Sequence, residues 1–407
     1  MQRHHRCRLG LTVFMRILLL ASTFHPAIGG AETYALVLAC ALGALGDEVE
    51  IVTDMVPGVP EYEVIARNVR IRRLYRYRTR FGAADTILWE EMQFGLRPEL
   101  AFIASTFLPE VVMSNSLDLC VPAKLIGITF GIPWVATFHE QAPERDAMGL
   151  ATLQLSFDLL QPDAVIAGSR LYLDRARRFG REERCHLIYH GVDSDRFCEI
   201  DSADEVKLQY GIPREHALLV SAGRLKARKG FLDVIRAVAM LVEMGRMVSL
   251  VIAGSLNSAS SAYFEGLKQE VQLLGLDRFV HFDEFVLHER MPWLLAGASV
   301  VVQASHEEGL GLAVIEAMAC GRPLVATRIP GHMEIIENEN QAVLVDPCAP
   351  AQLAVAIAEL LDNAERRTVL GLNARSQAVA KFSVHRMTCA TAELLRNVTR
   401  QPSNHAH

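Results

Sequence analysis

Residues 299–327 read SVVVQASHEEGLGLAVIEAMACGRPLVAT, and the fold class follows from this segment. It begins with an apolar, β-branched run over 299–305 and ends with a second such run over 322–327. Between them, a turn with Gly309 and Gly311 leads into a helix that starts near Gly311. Continuous apolar strands joined by a helix are typical of a parallel sheet that is covered on both faces.

The same alternation extends over almost the whole chain. Strand-like runs in the first half cover 16–22, 48–53, 110–114, 133–138 and 163–168, and those in the second half cover 217–223, 248–254, 278–282, 299–305, 322–327 and 342–345. Apolar residues between 231 and 242 have the i, i+3, i+4, i+7 spacing of a helix packed on such a sheet. We therefore predict two Rossmann-like, doubly wound α/β domains facing a cleft.

Length and charge restrict the classes of protein. The chain of 407 residues fits two domains, and we place the boundary between 15–198 and 199–382, with residues 1–14 as an extension. A net charge of -6 argues against nucleic acid as the main partner. The eight cysteines are scattered singly, without metal-ligand spacing to histidine. They indicate reduced thiols in a cytoplasmic protein.

The amino-terminal segment superficially resembles a secretory signal. Arg16 divides its apolar run, however, and no small-residue cleavage site follows. We therefore expect 16–21 to be the first core strand. No uncharged run reaches the roughly 18 residues that span a bilayer, so we predict no transmembrane helix.

The turn after strand 299–305 has the chemistry of a phosphate and sugar site. Gly309 and Gly311 let the backbone approach a ligand closely. The amides from Leu310 to Ala313, that of Leu312 among them, lie at a helix N-terminus, where hydrogen bonds and the helix dipole favour an anion. Glu316 within the helix is suited to the vicinal hydroxyls of a ribose, and Glu308 in the loop to hydroxyls of a sugar. The alternative is an ordinary strand–helix turn with solvated glutamates.

A basic loop follows the first strand of the second domain, in SAGRLKARKGF (221–231). Arg224 and Lys229 form a suitable pair for a diphosphate leaving group, because they stabilise the charge that grows as its bond to the sugar breaks. The alternative is a solvated basic loop before an amphipathic helix.

The first domain offers two further candidates. Gly29 and Gly30 lie where the first strand–helix turn is expected, and His139 lies at the carboxyl end of strand 133–138. Each has a structural alternative, an ordinary turn and a structural histidine.

These segments, in this order, resemble glycosyltransferase family 4, the retaining family with the GT-B fold. The likeness covers roughly residues 15–395, and its most specific part is the pair Glu308 and Glu316. The turn HGVDSDRF (190–197) is also similar. Pro330-Gly331-His332 stands where family members commonly carry a second glycine pair.

The resemblance implies a retaining hexosyltransferase that uses a nucleoside diphosphate sugar and needs no cofactor. It implies that Arg224 and Lys229 bind the diphosphate, that Glu316 binds the ribose, and that Glu308 and His139 contact the transferred sugar. It also implies an acceptor-binding first domain, a donor-binding second domain, and a helix over 383–400 that returns to the first. The acceptor is a carbohydrate, a lipid-linked sugar or a small molecule.

Two charged segments have no role in the proposed donor site. Asp193 and Asp195 form a D-x-D sequence, which in another glycosyltransferase fold holds a metal. We interpret it as a linker turn and predict no metal.

The second segment, over 67–80, is rich in arginine. It is either a patch for anionic lipid or for a phosphorylated acceptor, or a solvated strand pair whose arginines meet acidic neighbours. As a patch it would give peripheral contact with the inner face of a membrane. Its candidate residues are Arg70, Arg72, Arg73, Arg76 and Arg78.

Other functions remain open at this point. A sugar-nucleotide epimerase or a non-catalytic nucleotide-sugar-binding module would share the two-domain plan. A pyridoxal-dependent phosphorylase lacks a supporting motif. A dinucleotide-dependent dehydrogenase is disfavoured because no strand is followed by GxGxxG with an acidic residue about 20 positions later.

Overall fold

The computed structural model describes residues 14–26, 29–74, 95–139, 145, 147–254, 261–284 and 288–400. The chain forms two compact units, Met1–Gly191 with Val384–His407, and Val192–Ser383. We call them the first and the second unit. The division that we predicted after residue 198 therefore falls inside the opening turn of the second unit.

Strands and helices alternate along both units. The first contains β1 Arg16–Leu20, α1 Gly30–Leu45, β2 Glu48–Asp54, β3 Tyr62–Ala66, β4 Val69–Leu74, α2 Arg97–Phe107, β5 Val111–Ser114, α3 Cys120–Phe130, β6 Trp134–Phe138, α4 Ala147–Leu153, β7 Ala164–Ala167, α5 Arg170–Phe179 and β8 Cys185–Leu187. The second contains α6 Ala203–Tyr210, β9 Ala217–Ala222, α7 Phe231–Glu243, β10 Val248–Ala253, α8 Ser261–Leu273, β11 Val280–Asp283, α9 Met291–Ala296, β12 Val300–Gln303, α10 Leu312–Ala319, β13 Leu324–Thr327, α11 Pro330–Ile335, β14 Val343–Val345, α12 Pro350–Asp362 and α13 Ala364–Phe382. The last helix, α14 Val384–Arg400, belongs to the first unit.

The first unit is built on one sheet with the strand order β3-β4-β2-β1-β5-β6-β7-β8. All pairs are parallel except β3 with β4. Successive side chains of a strand point to opposite faces. Thus Ile17 and Leu19 of β1 pack in the layer that contains α1 and α14, and Leu18 and Leu20 pack in the opposite layer with α2 and α3. The sheet is therefore buried on both faces.

The second unit has a wholly parallel sheet with the order β11-β10-β9-β12-β13-β14. Leu219, Leu250 and Val302 face a core that includes α7, α8 and α12. Val301 on the other side of β12 is also fully buried. Since β9 and β12 lie side by side at the centre, the loops that leave their carboxyl ends lie side by side as well.

The predicted strands are all present, and their ends differ from the predicted ones by at most two residues. Three further strands were not predicted as core strands. The side chains of β4 alternate between buried and half-buried, and β8 has only three residues. Neither gives the continuous apolar run that identified the other strands. The fold class, two doubly wound α/β units, is confirmed.

The length and polarity of each described helix decide whether it could cross a membrane. The helix α13 extends over 19 residues but carries charged side chains along its length. Among the described helices, none is both long enough and apolar enough to cross a bilayer.

One buried ion pair connects the terminal helix to the rest of the first unit. Asp47, between α1 and β2, is fully buried and accepts the backbone N–H of Met15 at 3.0 Å. Arg396 of α14 donates to the same carboxylate at 3.1 Å. Burial raises the pKa of Asp47, while the N–H of Met15 and the charge of Arg396 act to lower it.

We predict that Arg396→Met destabilises the protein by about 3 kcal/mol, because it leaves a buried carboxylate without its charge partner. In a domain of this size that corresponds to a fall in Tm of roughly 10 °C. The loss should grow as the pH rises above the ordinary carboxyl pKa, because the raised pKa of Asp47 disfavours its ionised form in the folded state. Thermal unfolding at several pH values measures both effects. Arg400→Met, at an exposed position of the same helix, should change Tm little; an equal loss in both variants would contradict the prediction.

Candidate functional site

Glu308 lies in the second unit where two loops leave adjacent strands. β9 is followed by a loop that ends in the 3-10 turn Ala227–Lys229, and β12 is followed by the loop that carries Glu308. Because β9 and β12 are parallel neighbours, both loops lie at the same edge of the sheet. Glu308 is only 8 % exposed.

The Glu308 carboxylate has three side-chain partners. Lys229 Nζ donates to Oε1, Arg228 Nη1 donates to Oε2 at 3.1 Å, and Ser305 Oγ donates to Oε1 at 3.0 Å. Burial by itself raises the pKa of Glu308, but the charges of Lys229 and Arg228 outweigh it and lower the pKa to about 2. Glu308 is therefore ionised at neutral pH, which a buried carboxylate achieves only with such partners.

The basic loop brings two of its cations to Glu308, and the predicted binding of a diphosphate by Arg224 and Lys229 stays a prediction. Lys229 and Arg228 contact Glu308, whereas Arg224 is exposed in the same loop. Sequence reasoning did not select Arg228; the basic run KARK (226–229) contained it without distinguishing it from its neighbours. The pKa of Lys226 is lowered chiefly by the charge of Arg224, then by burial and by Arg228. Repulsion among these cations shows that the loop has a positive potential that an anion would relieve.

The N-terminus of α10 adjoins this cluster. Its N-cap is Gly311, with φ +102°, and no side chain caps the first turn. A Cβ at Gly311 would lie 3.1 Å from Cδ2 of His332, so the left-handed backbone and the tight packing both favour glycine here. The side chain of Leu310 is buried. Gly309 and Leu310 are buried and Gly311 and Leu312 are half-buried, and the binding of an anion by the backbone at 309–312 stays a prediction.

His332 is a residue that sequence reasoning noted only as a departure from the family pattern. Its side chain is 1 % exposed, and its Nδ1 lies 3.0 Å from the backbone carbonyl oxygen of Thr327. Burial lowers the pKa of His332 to about 4 despite the nearby charge of Glu308. Its neighbour Gly331 packs so closely that a Cβ there would lie 2.6 Å from the Glu308 carbonyl oxygen. The first turn of α11 thus packs directly against the backbone of Glu308.

Glu316 lies in α10 and is half-buried. Burial raises its pKa to about 7, against the opposing charges of Arg196 and Lys229. The two glutamates of the motif therefore differ in protonation near neutral pH, with Glu308 fully ionised and Glu316 only partly. Environments that separate two carboxyl pKa values in this way are typical of binding and catalytic sites.

In the first unit, His139 follows β6 and lies among other rings. Its Nε2 is 2.7 Å from the carbonyl oxygen of Asn115, and its ring meets Tyr34 edge-on at 5.6 Å. The ring of His190 lies 5.5 Å from His139 and 4.4 Å from Tyr34. Burial lowers the pKa of His139 to about 4 and that of His190 to about 3. Both imidazoles are therefore neutral, and Nε2–H of His139 is the donor to Asn115.

Gly29 and Gly30 begin α1, as predicted for the first turn, with Gly29 as the N-cap in an extended conformation. A Cβ on Gly29 would lie 2.1 Å from a carboxylate oxygen of Glu32. Glu32 also accepts a 2.5 Å hydrogen bond from Thr23 Oγ1, and its charge acts on the pKa of His139. The glycine therefore leaves room for an acidic group near His139 that the sequence analysis missed.

The arginine segment is largely occupied with its own neighbours. Arg70 and Arg72 pair with Glu50 of β2, at 3.3 and 2.8 Å. Arg73 is fully buried, and it donates to Glu63 and to the carbonyls of Pro60 and His25. The prediction of a surface patch is wrong for Arg73, because a buried guanidinium with these partners has a structural role. Arg76 and Arg78 lie outside the described residues.

The D-x-D sequence forms a turn that opens the second unit. Asp193 Oδ1 accepts the backbone N–H groups of Asp195 and Arg196, at 3.1 and 3.2 Å. This is the local hydrogen bonding of an Asx turn. The carboxylate of Asp193 is thus used by the backbone that follows it.

We predict that Glu316→Gln stabilises the protein at pH 8 by about 2–3 kcal/mol, because Gln removes the cost of ionising a half-buried carboxyl. A raised carboxyl pKa means that the folded wild type loses stability as the pH rises from 4.5 to about 7. At pH 4.5 the variant and the wild type should therefore unfold at nearly the same temperature. Glu339→Gln, at an exposed position, is the control; a gain that is independent of pH would contradict this explanation.

Comparison with known families gives two matches. Residues 28–196 match the model of Glycosyltransferase Family 4, and residues 202–377 match the model of Glycosyl transferases group 1. The first match lies in the first unit and extends a few residues beyond it, and the second lies within the second unit. Together they include the candidate residues in both units.

Two named relatives match this chain over most of the length of both proteins. The chain is 27 % identical over 366 residues to mannosylfructose-phosphate synthase of Agrobacterium fabrum, covering 82 % of this chain and 80 % of the relative. It is 27 % identical over 396 residues to D-inositol 3-phosphate glycosyltransferase 2 of Catenulispora acidiphila, covering 90 % and 89 %.

Solved structures agree on the fold. Sucrose-phosphate synthase from Thermosynechococcus elongatus superposes with a TM-score of 0.77 at 22 % identity, over 95 % of this chain and 99 % of the other. HepE of Anabaena, in complex with UDP and glucose, gives a TM-score of 0.77 at 22 % identity, over 94 % and 100 %. These likenesses establish the GT-B fold. With the two family matches and the full-length relatives, the chain belongs to the group 1 glycosyltransferases of glycosyltransferase family 4.

Proposed function

We propose that this glycosyltransferase moves a hexose-type sugar from a nucleoside diphosphate donor to an acceptor hydroxyl, with retention at the anomeric carbon. The observation that carries the proposal is the buried, ionised Glu308, held by Lys229 and Arg228 beside the uncapped N-terminus of α10. Positive charge, free amides and a fixed carboxylate lie together at the carboxyl edge of the sheet. Such an edge is where open α/β folds bind nucleotides.

The diphosphate would lie against the basic loop and the helix N-terminus. Lys229, Arg228 and the exposed Arg224 supply positive charge, and the amides at 309–312 supply hydrogen-bond donors. Charge that develops on the departing diphosphate is then stabilised by groups that are already in place. In this arrangement protein cations serve the leaving group, so we propose no metal at the diphosphate and no cofactor.

Glu316 is the proposed ligand of the ribose. A carboxylate accepts hydrogen bonds from two vicinal hydroxyls, and partial burial makes each of them stronger than in water. Its raised pKa has a consequence for binding: hydroxyl donors favour the ionised form, so a bound donor lowers the pKa of Glu316. The similar Anabaena protein is described in complex with UDP-glucose, which supports a nucleotide sugar as the donor here.

Glu308 is the proposed contact of the transferred sugar. Its pKa of about 2 leaves it as a permanent negative charge, which suits stabilisation of a cationic, oxocarbenium-like sugar better than proton transfer. A base for the acceptor hydroxyl is then available in the departing phosphate, on the same face of the sugar. This accounts for retention without a covalent intermediate on Glu308.

The first unit would bind the acceptor and contact the transferred sugar through His139. A neutral imidazole whose Nε2–H is held by the Asn115 carbonyl is fixed in position and orientation. The relatives are named for fructose phosphate and inositol phosphate chemistry. We therefore propose a hydroxyl acceptor of the carbohydrate, lipid-linked or small-molecule class.

We predict that Lys229→Ala weakens binding of a nucleoside diphosphate roughly 10- to 100-fold, because it removes one charge-assisted hydrogen bond. Titration calorimetry with UDP and GDP measures the change. Lys381→Ala is the matched control, since Lys381 pairs with Glu337 at 2.7 Å on the surface of the same unit. Equal affinities for wild type and Lys229→Ala would contradict a diphosphate site at this loop.

We predict that Glu308→Gln lowers turnover at least about 100-fold while donor affinity changes less than tenfold, because its charge acts mainly on the transition state. A thermal-shift panel of nucleotide sugars identifies the donor, and product is then followed with candidate acceptors. Glu337→Gln is the control, because Glu337 pairs with Lys381 and not with the Glu308 side chain. This variant should retain full turnover.

The same assay separates the two remaining functions. An epimerase would convert the donor sugar when acceptor is omitted. A non-catalytic binding module would bind the donor and give no product in wild type or variant. Either result would replace the proposed transferase reaction, although the diphosphate site could still stand.

A further inference from the structure

Three side chains from distant parts of the second unit converge outside the proposed donor site. Asp233 lies in the first turn of α7, His306 in the loop after β12, and Cys348 in the loop between β14 and α12. One oxygen, one ring nitrogen and Sγ all lie within 4.8 Å of one another. We propose that Asp233, His306 and Cys348 bind one Zn²⁺ ion.

The set of donor atoms selects the ion. Sulfur, imidazole nitrogen and carboxylate oxygen together suit a borderline-soft ion such as Zn²⁺ better than Mg²⁺ or Ca²⁺, which prefer oxygen alone. Ligand atoms around a tetrahedral Zn²⁺ lie roughly 3.5 Å apart, which the observed spread of up to 4.8 Å accommodates after a small adjustment. Three protein ligands leave a fourth position for water.

One contact must open for the ion to enter. His306 Nε2 and Asp233 Oδ2 are 2.6 Å apart, a hydrogen-bond distance. When Zn²⁺ enters between these two atoms, the neutral imidazole carries its proton on Nδ1, so that Nε2 is free to bind the ion and no proton is lost from the ring. His306 and Cys348 are both exposed, so their side chains have room for the adjustment, whereas Asp233 is buried and provides the fixed point.

The cysteine binds as a thiolate, so its thiol proton is released to the solvent when Zn²⁺ binds.

An ion bound here would restrain the loop that carries Glu308. His306 precedes Glu308 by two residues, and its backbone N–H donates to the carbonyl of Arg228 at 2.7 Å. The ligands are nevertheless distinct from Glu308, Lys229 and the D-x-D turn. The inference therefore stands or falls separately from the proposed transferase reaction, and its expected consequence is a more stable second unit.

The experiment uses the full chain, freed of metal with a chelator and then of the chelator by dialysis. Titration calorimetry with ZnCl₂, repeated in two buffers of different ionisation enthalpy, should give one ion per chain and release of about one proton. Co²⁺ in place of Zn²⁺ should give a thiolate-to-metal charge-transfer band. Cys348→Ser should remove that band and weaken Zn²⁺ binding at least about 100-fold, and Asp233→Asn should also weaken binding.

Cys389→Ser is the matched control, because Cys389 Sγ lies 3.7 Å from His385 Nε2 on α14 and this pair is not part of a three-ligand group in the described residues. It should bind Zn²⁺ as the wild type does.

The sequence also has histidines near both ends, at 4, 5, 405 and 407, which could bind Zn²⁺ on their own. Circular dichroism establishes that each variant is folded. Stoichiometric binding that is unchanged in folded Cys348→Ser, or no binding by the wild type, would overturn the inference.

Discussion

The buried carboxylate of Glu308 is the constraint around which the second unit is organised. An ionised group that is 8 % exposed needs charge partners, and Lys229 and Arg228 supply them from another loop. This pairing requires β9 and β12 to be adjacent and parallel, since only then do their loops leave the same edge. It also requires Gly331 without a side chain, because its Cα packs on the Glu308 backbone. Sheet order, turn chemistry and charge thus converge on one side chain.

The two motif glutamates show how one short segment produces two chemical environments. Glu308 is surrounded by cations and keeps its charge, with a pKa of about 2. Glu316 lies about one helical turn into α10, where burial dominates and raises its pKa to about 7. A residue with permanent charge suits electrostatic stabilisation of a reacting sugar, whereas one that titrates near neutrality responds to whatever hydroxyls are bound. This difference supports the proposal that Glu308 contacts the transferred sugar and that Glu316 binds the ribose.

In the first unit, charged residues are used mainly to hold elements together. Asp47 and Arg396 join α14 to the sheet through a buried pair, and Arg73 binds carbonyls and Glu63 from a fully buried position. Such groups cannot also serve a surface partner. Among the described residues near the carboxyl ends of the strands are neutral or locally hydrogen-bonded groups, including His139, Tyr34 and Glu32. Selectivity for the acceptor would then depend on shape and hydrogen bonding more than on net charge.

Local patterns were sufficient for the fold class, for all strands except β3, β4 and β8, and for the glycine turn at 309–311, because apolar runs and turn residues act over a few positions. They also predicted that Lys229 and Glu308 belong to one site. They did not predict Arg228 as the second partner, the burial of Arg73 and His332, or the meeting of Asp233, His306 and Cys348. Each of those depends on which strands are neighbours and on the rotamer that packing permits. The order β11-β10-β9-β12-β13-β14 brings together loops more than 70 residues apart, and no local spacing in the chain specifies that order.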